Sequence, residues 1–491
     1  MSLFSKHLGR AHAPVIYASL AIGIAALVDG CGAGYRPVVT PINPSGPAPQ
    51  PASLAVVVSS PAPTSPGVAT IIDYSGDTIV AQSPIGVGPI TFSLDQTGST
   101  GYTYNSDGTV TNFPANSNLQ QKNVTVTTLP SNSAPISIFS PSAGMWMADL
   151  AGNLVNVFTG SPETFKLSIP VAPNPVMVIG PGTISQRNYA ITQGAVSDGS
   201  MCNTTPTTAP AGEADAIEVS SNTVSARIPL GKCPVYAVQS PDSKRLFVLN
   251  RGSDTITVIN SQNNTLDACT PFQNQNGQTV TCHPSLPLST TAGLTGTNVP
   301  AVAGPVYAEY NLATNQLIVA NYDGGTISVI DVSLDEFGND SATFGTTFTI
   351  PVGTNPASVT ALYDGSRAYT ANQTDQTVTV VNLSSHTVEK TVAVTGHPRT
   401  VASTQNSLYG KVYVASPDSP YLTILRTDKD IVDATVLVQG NILDVRVTTQ
   451  NAVSSNANNV SRKPGFGQPC YLPGATAAAS YTTCTTLPTA P

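Results

Sequence analysis

The sequence predicts an all-β protein: a single β-propeller of seven to eight four-stranded blades, with eight the better count. Three observations carry that expectation. The first is a recurring phrase, a short strand ending in Asn, a polar turn, and a second strand ending in Asp or Asn. It reads Leu317-Ile-Val-Ala-Asn321 then Thr326-Ile-Ser-Val-Ile-Asp331. It returns as Ala368-Tyr-Thr-Ala-Asn372 with Thr377-Val-Thr-Val-Val-Asn382, and as Leu246-Phe-Val-Leu-Asn250 with Thr255-Ile-Thr-Val-Ile-Asn260. Alternation of apolar and polar residues over such short runs marks half-buried strands. A strand-turn-strand unit cannot bury its apolar face alone, so copies must stack. The second observation is the period. Strand ends fall at Ser59, Asn105, Asp149, Thr192, Asn250, Asn321, Asn372 and Ser416, at intervals of 46, 44, 43, 58, 71, 51 and 44 residues. A baseline near 44 is the spacing of one four-stranded blade. The third is the way each unit begins, with proline just ahead of an apolar strand: Gly88-Pro-Ile, Ala134-Pro-Ile, Asn174-Pro-Val, Cys233-Pro-Val, Gly304-Pro-Val, Asn355-Pro-Ala and His397-Pro-Arg. A proline there starts a strand without removing a ladder hydrogen bond.

The N-terminus reads as an export signal over residues 1–30. Lys6, His7 and Arg10 form a basic start, and Pro14 to Val28 is an apolar run of about fifteen residues. That is short for a membrane span and suited to a signal core. It ends at Val28-Asp-Gly-Cys31, which resembles the bacterial lipoprotein signal, cut before a cysteine that then carries lipid. Asp29 departs from that pattern, which usually has a small or apolar residue there; an ordinary secretory signal or an uncleaved anchor is the alternative. Gly32, rather than Asp, after the cysteine implies the outer membrane by the same resemblance, where the cell has one. Several acyl chains on one cysteine would give stable anchoring. Residues 31–53 are a Pro-rich tether, extended and semi-rigid.

The propeller is expected over 54–455. Leu54 to Ile85 lacks a leading strand, and Asn441 to Val447 lacks successors, so the two chain ends are expected to share one blade and leave the ring without a sheet edge. Two long intervals are read as insertions, 194–214 and 261–303. Residues 456–491 lose the pattern and are expected to form an irregular, disulfide-tied tail. Apart from Cys31, six cysteines remain: Cys202, Cys233, Cys269, Cys282, Cys470 and Cys484. An even number in an exported chain reads as disulfides. Their clustering favours 202–233, 269–282 and 470–484, the second closing a loop of about 14 residues, worth roughly 3 kcal/mol in the chain-entropy model. No Cys-x2-Cys spacing suggests a metal.

Composition narrows the rest. Of 491 residues only 10% are charged, against roughly 25% in an average chain. The net charge of −8 is spread without a basic block, so no nucleic-acid partner is expected. With 41 prolines and 39 glycines dispersed along the chain, short strands and tight turns dominate.

The phrase beginning Val-Ala-Asn and ending Ser-Val-Ile-Asp, with Pro241-Asp-Ser-Lys-Arg245 and Tyr363-Asp-Gly-Ser-Arg367 ahead of two copies, resembles the YVTN family of β-propeller repeat proteins. The likeness spans residues 54–450 and is best over 233–430. It implies fold more than function: related propellers include surface-layer proteins, periplasmic proteins, and more distant lactonases and quinoproteins.

Chemistry is thin. The repeated Asn250, Asn321 and Asn372 are read as side-chain-to-backbone turn formers. Channel candidates on predicted inner strands are Tyr307, Glu309, Arg399, Asp444 and Arg446. A lactonase-like calcium site would need several converging oxygen donors, and the chain has six Glu, of which Glu309 alone lies on a predicted inner strand. The single Trp146 argues against the Trp-docked quinoproteins and reads as an aromatic between blades. His283, His386 and His397 build no Ser-His-Asp constellation, and no Gly-x-Ser-x-Gly is present. No catalytic residue, metal or cofactor is assigned. The expected role is a lipid-anchored binding or scaffold module of the bacterial cell envelope, with an envelope protein or glycan as partner. A calcium-dependent lactonase-like hydrolase and a structural surface-layer component are the alternatives.

Overall fold

A computed structural model describes residues 54–448, apart from 96, 142–143, 181–186, 196–201, 203–204, 275, 405–407 and 409, together with the strand Ser461–Arg462. The signal, the tether, Cys31, Cys470, Cys484 and the rest of the tail lie outside the described residues.

Eight four-stranded antiparallel sheets stand as blades. Their inner strands are Asn441–Thr448 in blade 1, Pro89–Leu94 in blade 2, Pro135–Phe139 in blade 3, Pro175–Ile179 in blade 4, Pro234–Gln239 in blade 5, Pro305–Asn311 in blade 6, Pro356–Ala361 in blade 7 and Thr400–Ser403 in blade 8. Each inner strand lies against the next, and the strand of blade 8 lies against that of blade 1, whose other neighbour is blade 2. The ring is therefore closed. Blade 1 is the shared one: Leu54–Ser60 pairs with Pro66–Asp73 on one side and with Asn441–Thr448 on the other, with Ala55 opposite Val447 and Val57 opposite Val445. A ladder joining the two ends of the propeller removes the pair of open edges that the ring would otherwise expose.

The recurring phrase has a structural cause. Asn250, Asn321 and Asn372 end the second strand of blades 5, 6 and 7, and each donates its amide N–H to two hydroxyls of the third strand, such as Thr377 and Thr379 for Asn372. Asn105 does the same in blade 2 with Thr109 and Thr111. The glycine that links the preceding blade packs on this amide: a Cβ on Gly86, Gly231 or Gly353 would come under 3.0 Å from Asn105, Asn250 or Asn372. The Asn thus latches one blade to the next. Three residues earlier stand Tyr102, Trp146, Tyr189, Phe247, Tyr369 and Tyr413, all buried. Three of these tyrosines donate to the outer turn of the following blade, at Glu163, Asn264 and Asp430. Trp146 occupies the same inter-blade place.

The first described disulfide, Cys202–Cys233, ties the first insertion to the start of blade 5, and the second, Cys269–Cys282, lies within the second insertion. The first insertion ends earlier than expected, at Pro210, because Ala211–Glu218 already pairs with Arg187–Thr192. The second interrupts a strand: Thr265–Leu266 and Ser285–Pro287 both pair with Thr255–Asn260, and a small hairpin lies between them. Arg245 anchors this insertion, reaching Asp267 at 3.2 Å and Asp340 of blade 6 at 3.0 Å, while His283 Nδ1 sits 2.8 Å from Asp340. Burial, and then Asp340, push the Asp267 carboxyl up.

Candidate functional site

The channel wall is built from one register. In every blade, one inner-strand residue pairs with the residue just before the end of the second strand: Asp444, Thr91, Ser137, Met177, Tyr236, Tyr307, Ser358 and Thr400. Two positions further on stand Arg446, Ser93, Phe139, Ile179, Val238, Glu309, Thr360 and Ala402. Arg446 of blade 1 acts electrostatically on Tyr307 and Tyr236 of blades 6 and 5, which places these side chains across the channel from one another.

In three blades these rows cap the inner sheet edge. An inner strand has no further strand beyond it, so its free N–H groups need acceptors. In blades 5, 7 and 8 some find them on the preceding blade. Met177 receives the Ala237 N–H at 3.3 Å, Ser358 the Val401 N–H at 3.2 Å, and Thr360 the Ser403 N–H at 3.2 Å. Glu309 Oε1 receives the Ala361 N–H at 3.0 Å. Glu309 thus does for blade 7 what hydroxyls do for blade 8. Burial pushes its carboxyl up to about 7, against the Ala361 and Thr360 hydrogen bonds and the Arg446 charge.

Four of the five channel candidates, Tyr307, Glu309, Asp444 and Arg446, lie in these two rows. Asp444 and Arg446 form a pair at 2.9 Å with side chains 2% and 9% exposed. Asp444 also takes the Val445 N–H at 2.8 Å. Burial works against the Arg446 charge, but Asp444 and the two phenols raise its pKa above the ordinary value. The Tyr307 and Tyr236 rings lie tilted against each other with centroids 4.8 Å apart, and burial, Tyr236 and Glu309 raise the Tyr307 phenol. Arg399 precedes the wall row, at the place held by Val235 and Val306 elsewhere, and is 5% exposed. Burial pulls its pKa down while Asp444 opposes. Sequence reading missed Tyr236, Ser358 and Thr360; counting two residues beyond each strand-starting proline finds the first two, and counting four finds Thr360.

A calcium site of the lactonase kind does not fit these donors. Asp444 and Glu309 are bound by a guanidinium and by backbone N–H groups, and among the described residues no three His, Cys, Asp or Glu side chains are arranged to hold a metal ion. His397 is held by Asp418 at 2.8 Å and faces Gln376 at 3.1 Å. At the opposite end of the strands, a cavity of about 240 Å³ opens between blades 5 and 6, bordered by Asp242, Lys244, Arg245, Tyr310 and Asp335.

No protein-family profile matches the chain, and no curated protein is similar to it. Solved structures are. AztD of Citrobacter koseri is 12% identical with a TM-score of 0.54, over 80% of this chain and 97% of that protein. The dihydro-heme d1 dehydrogenase NirN, in complex with DHE, is 14% identical with a TM-score of 0.55, over 86% of this chain and 80% of that one. Such identities establish fold alone, and the chain is a β-propeller.

Proposed function

We propose that this protein is an exported β-propeller, lipid-anchored through Cys31, that serves as a binding or scaffold module at the bacterial cell envelope. The reading rests foremost on how the channel charges are used. Glu309, Asp444 and Arg446 are engaged in capping strand edges and in one buried pair, which suits a rigid frame better than a reaction centre. The basic start and apolar run before Cys31, the Pro-rich tether and the paired cysteines support export. A closed ring then presents its loops as a fixed surface.

Mass spectrometry of the mature N-terminus tests the anchor. A start at Cys31 bearing several acyl chains is expected; an unmodified start elsewhere removes the anchor from the reading. Cys31→Ser should move the protein from membrane to soluble fractions, and unchanged retention would argue the same way.

A further inference from the structure

We propose that the insertion at residues 261–303 is held to blade 6 by a pH-responsive latch, in which Asp267 and Asp340 share one proton under Arg245. The inference does not depend on export or lipidation. Its first support is how the three side chains meet. Arg245 opens the second strand of blade 5, Asp267 stands on the near arm of the insertion, and Asp340 lies on the loop between the third and fourth strands of blade 6. Both carboxylates fall on the same guanidinium nitrogen, Nη2, at 3.2 Å and 3.0 Å. Nη1 turns instead to Lys244 O at 3.4 Å, and the buried Nε has no partner. The two carboxylates also accept one backbone N–H, that of His283, at 3.5 Å and 3.1 Å.

The second support is charge balance. The side chains of Arg245, Asp267 and Asp340 are 3%, 3% and 0% exposed. One guanidinium neutralises one carboxylate, so a second ionised carboxylate beside it would be an uncompensated buried charge. A proton kept on one of them removes that charge and replaces repulsion by a carboxyl–carboxylate hydrogen bond. The proton falls to Asp267, whose carboxyl is pushed up to about 6 by burial and then by Asp340. Burial works against the Asp340 charge too, but His283, the Asp267 hydrogen bond and Arg245 hold that carboxyl below its ordinary value. The His283 ring also faces the pair, with Nδ1 2.8 Å from Asp340. Lys244 and Asp335 are turned elsewhere, to Asp242 at 3.7 Å and to the Phe337 and Asn339 N–H groups.

The third support is what the cluster closes. Cys269–Cys282 ties the arm carrying Asp267 to the arm carrying His283. Asn276, between those arms, donates to Glu336 at 2.6 Å, on the same blade 6 loop as Asp340. Asp335 of that loop and Arg245 itself border the cavity of about 240 Å³, so the latch also fixes one wall of that cavity.

Linkage gives the sign. Between the ordinary aspartate range and pH 6 the closed state keeps a proton that the open state releases, so this stability is present at low pH and lost as pH rises through 6. Asp340, held low, loses its contribution only in stronger acid. The latch is therefore tightest near pH 5. A carboxyl at about 4 when open and about 6 when closed weakens it about tenfold by pH 8.

Hydrogen exchange of the full chain at pH 5 and pH 8, expressed as protection factors, tests this at the Asp267 and His283 amides, which donate to Val258 O and to Asp340. The strand Thr377–Asn382 serves as reference. Protection at both amides should fall about tenfold from pH 5 to pH 8 relative to that strand. Asp267→Asn can still donate to Asp340 but cannot titrate, and should keep its pH 5 protection at pH 8. His283→Gln should retain the fall. A flat parent profile, a fall that survives Asp267→Asn, or one that disappears in His283→Gln overturns the proposal. Where Asp267→Asn leaves the insertion unprotected at both pH values, the parent and His283→Gln profiles decide by the same criteria.

Discussion

The junction between blades 7 and 8 and the junction between blades 2 and 3 follow the same plan and differ at both rims. At the outer rim both use a buried tyrosine that donates to the next blade's turn, Tyr369 to Asp430 and Tyr102 to Glu163. Blade 7 strengthens this with Arg367, which reaches Asp430 at 2.7 Å and Glu389 at 2.9 Å. At the inner rim, Ser358 and Thr360 cap Val401 and Ser403. In blade 2 the buried Thr91 hydroxyl has no partner, and the Ser93 hydroxyl donates to Leu94 O of its own strand at 3.2 Å. The same strand position therefore holds a hydroxyl that caps the next blade in one place, Ser358, and an unpartnered one in the other, Thr91.

The sharpest way to break this comparison is at the junction of blades 7 and 8. Asp430→Ala leaves Arg367 and Tyr369 without their shared acceptor and should cost about 3 kcal/mol, since removing one partner of a largely buried ion pair strands the other. Chemical denaturation checks it, and a cost equal to that of a surface change would remove the rim pin from the account. Thr360→Val orphans the Ser403 N–H and should cost about 2 kcal/mol, the desolvation penalty of a buried donor. Tyr102→Phe, at the junction of blades 2 and 3, loses one hydrogen bond to the Glu163 carboxylate and should cost about 1–2 kcal/mol.

Glu309→Gln sharpens the picture through pH. The folded carboxyl is pushed up to about 7, so between the ordinary glutamate range and pH 7 the folded state binds more protons than the unfolded one. Stability from this group is present at low pH and is lost as pH rises through 7. The amide can still accept the Ala361 N–H. Its melting temperature relative to the parent should therefore climb from pH 5 to pH 7 and level off above; a flat difference would remove Glu309 from the titrating groups. Smallest of all, Thr91→Val deletes a hydroxyl that bonds to nothing and should change stability by no more than about 0.5 kcal/mol. The contrast of Thr91 with Thr360, two threonines on inner strands, is the direct test of the difference between the junctions.

Much of the architecture was legible in the chain. The Asn-ended strands, the leading prolines and the 44-residue baseline counted the blades, because each is a local requirement repeated at every blade. The 202–233 and 269–282 disulfides followed from clustering, since both close short stretches. The insertion boundary at 214 was misjudged: Ala211-Gly-Glu-Ala carries no turn signal to mark the return into the sheet. The channel wall was read in part. Charged Glu309, Asp444 and Arg446 stood out against apolar neighbours, whereas Ser358 and Thr360 looked like any solvent-facing alternation.

By itself the sequence determined that short amphipathic strands must stack as repeats and that the two ends must complete one sheet, because period and strand polarity are properties of neighbouring residues. Only the tertiary structure decided which side chains meet in the channel, that Glu309 caps a strand of the next blade, and that Asp267 and Asp340 converge on Arg245. Those outcomes depend on contacts between residues dozens to hundreds of positions apart, and no local pattern encodes which free N–H an acceptor will reach.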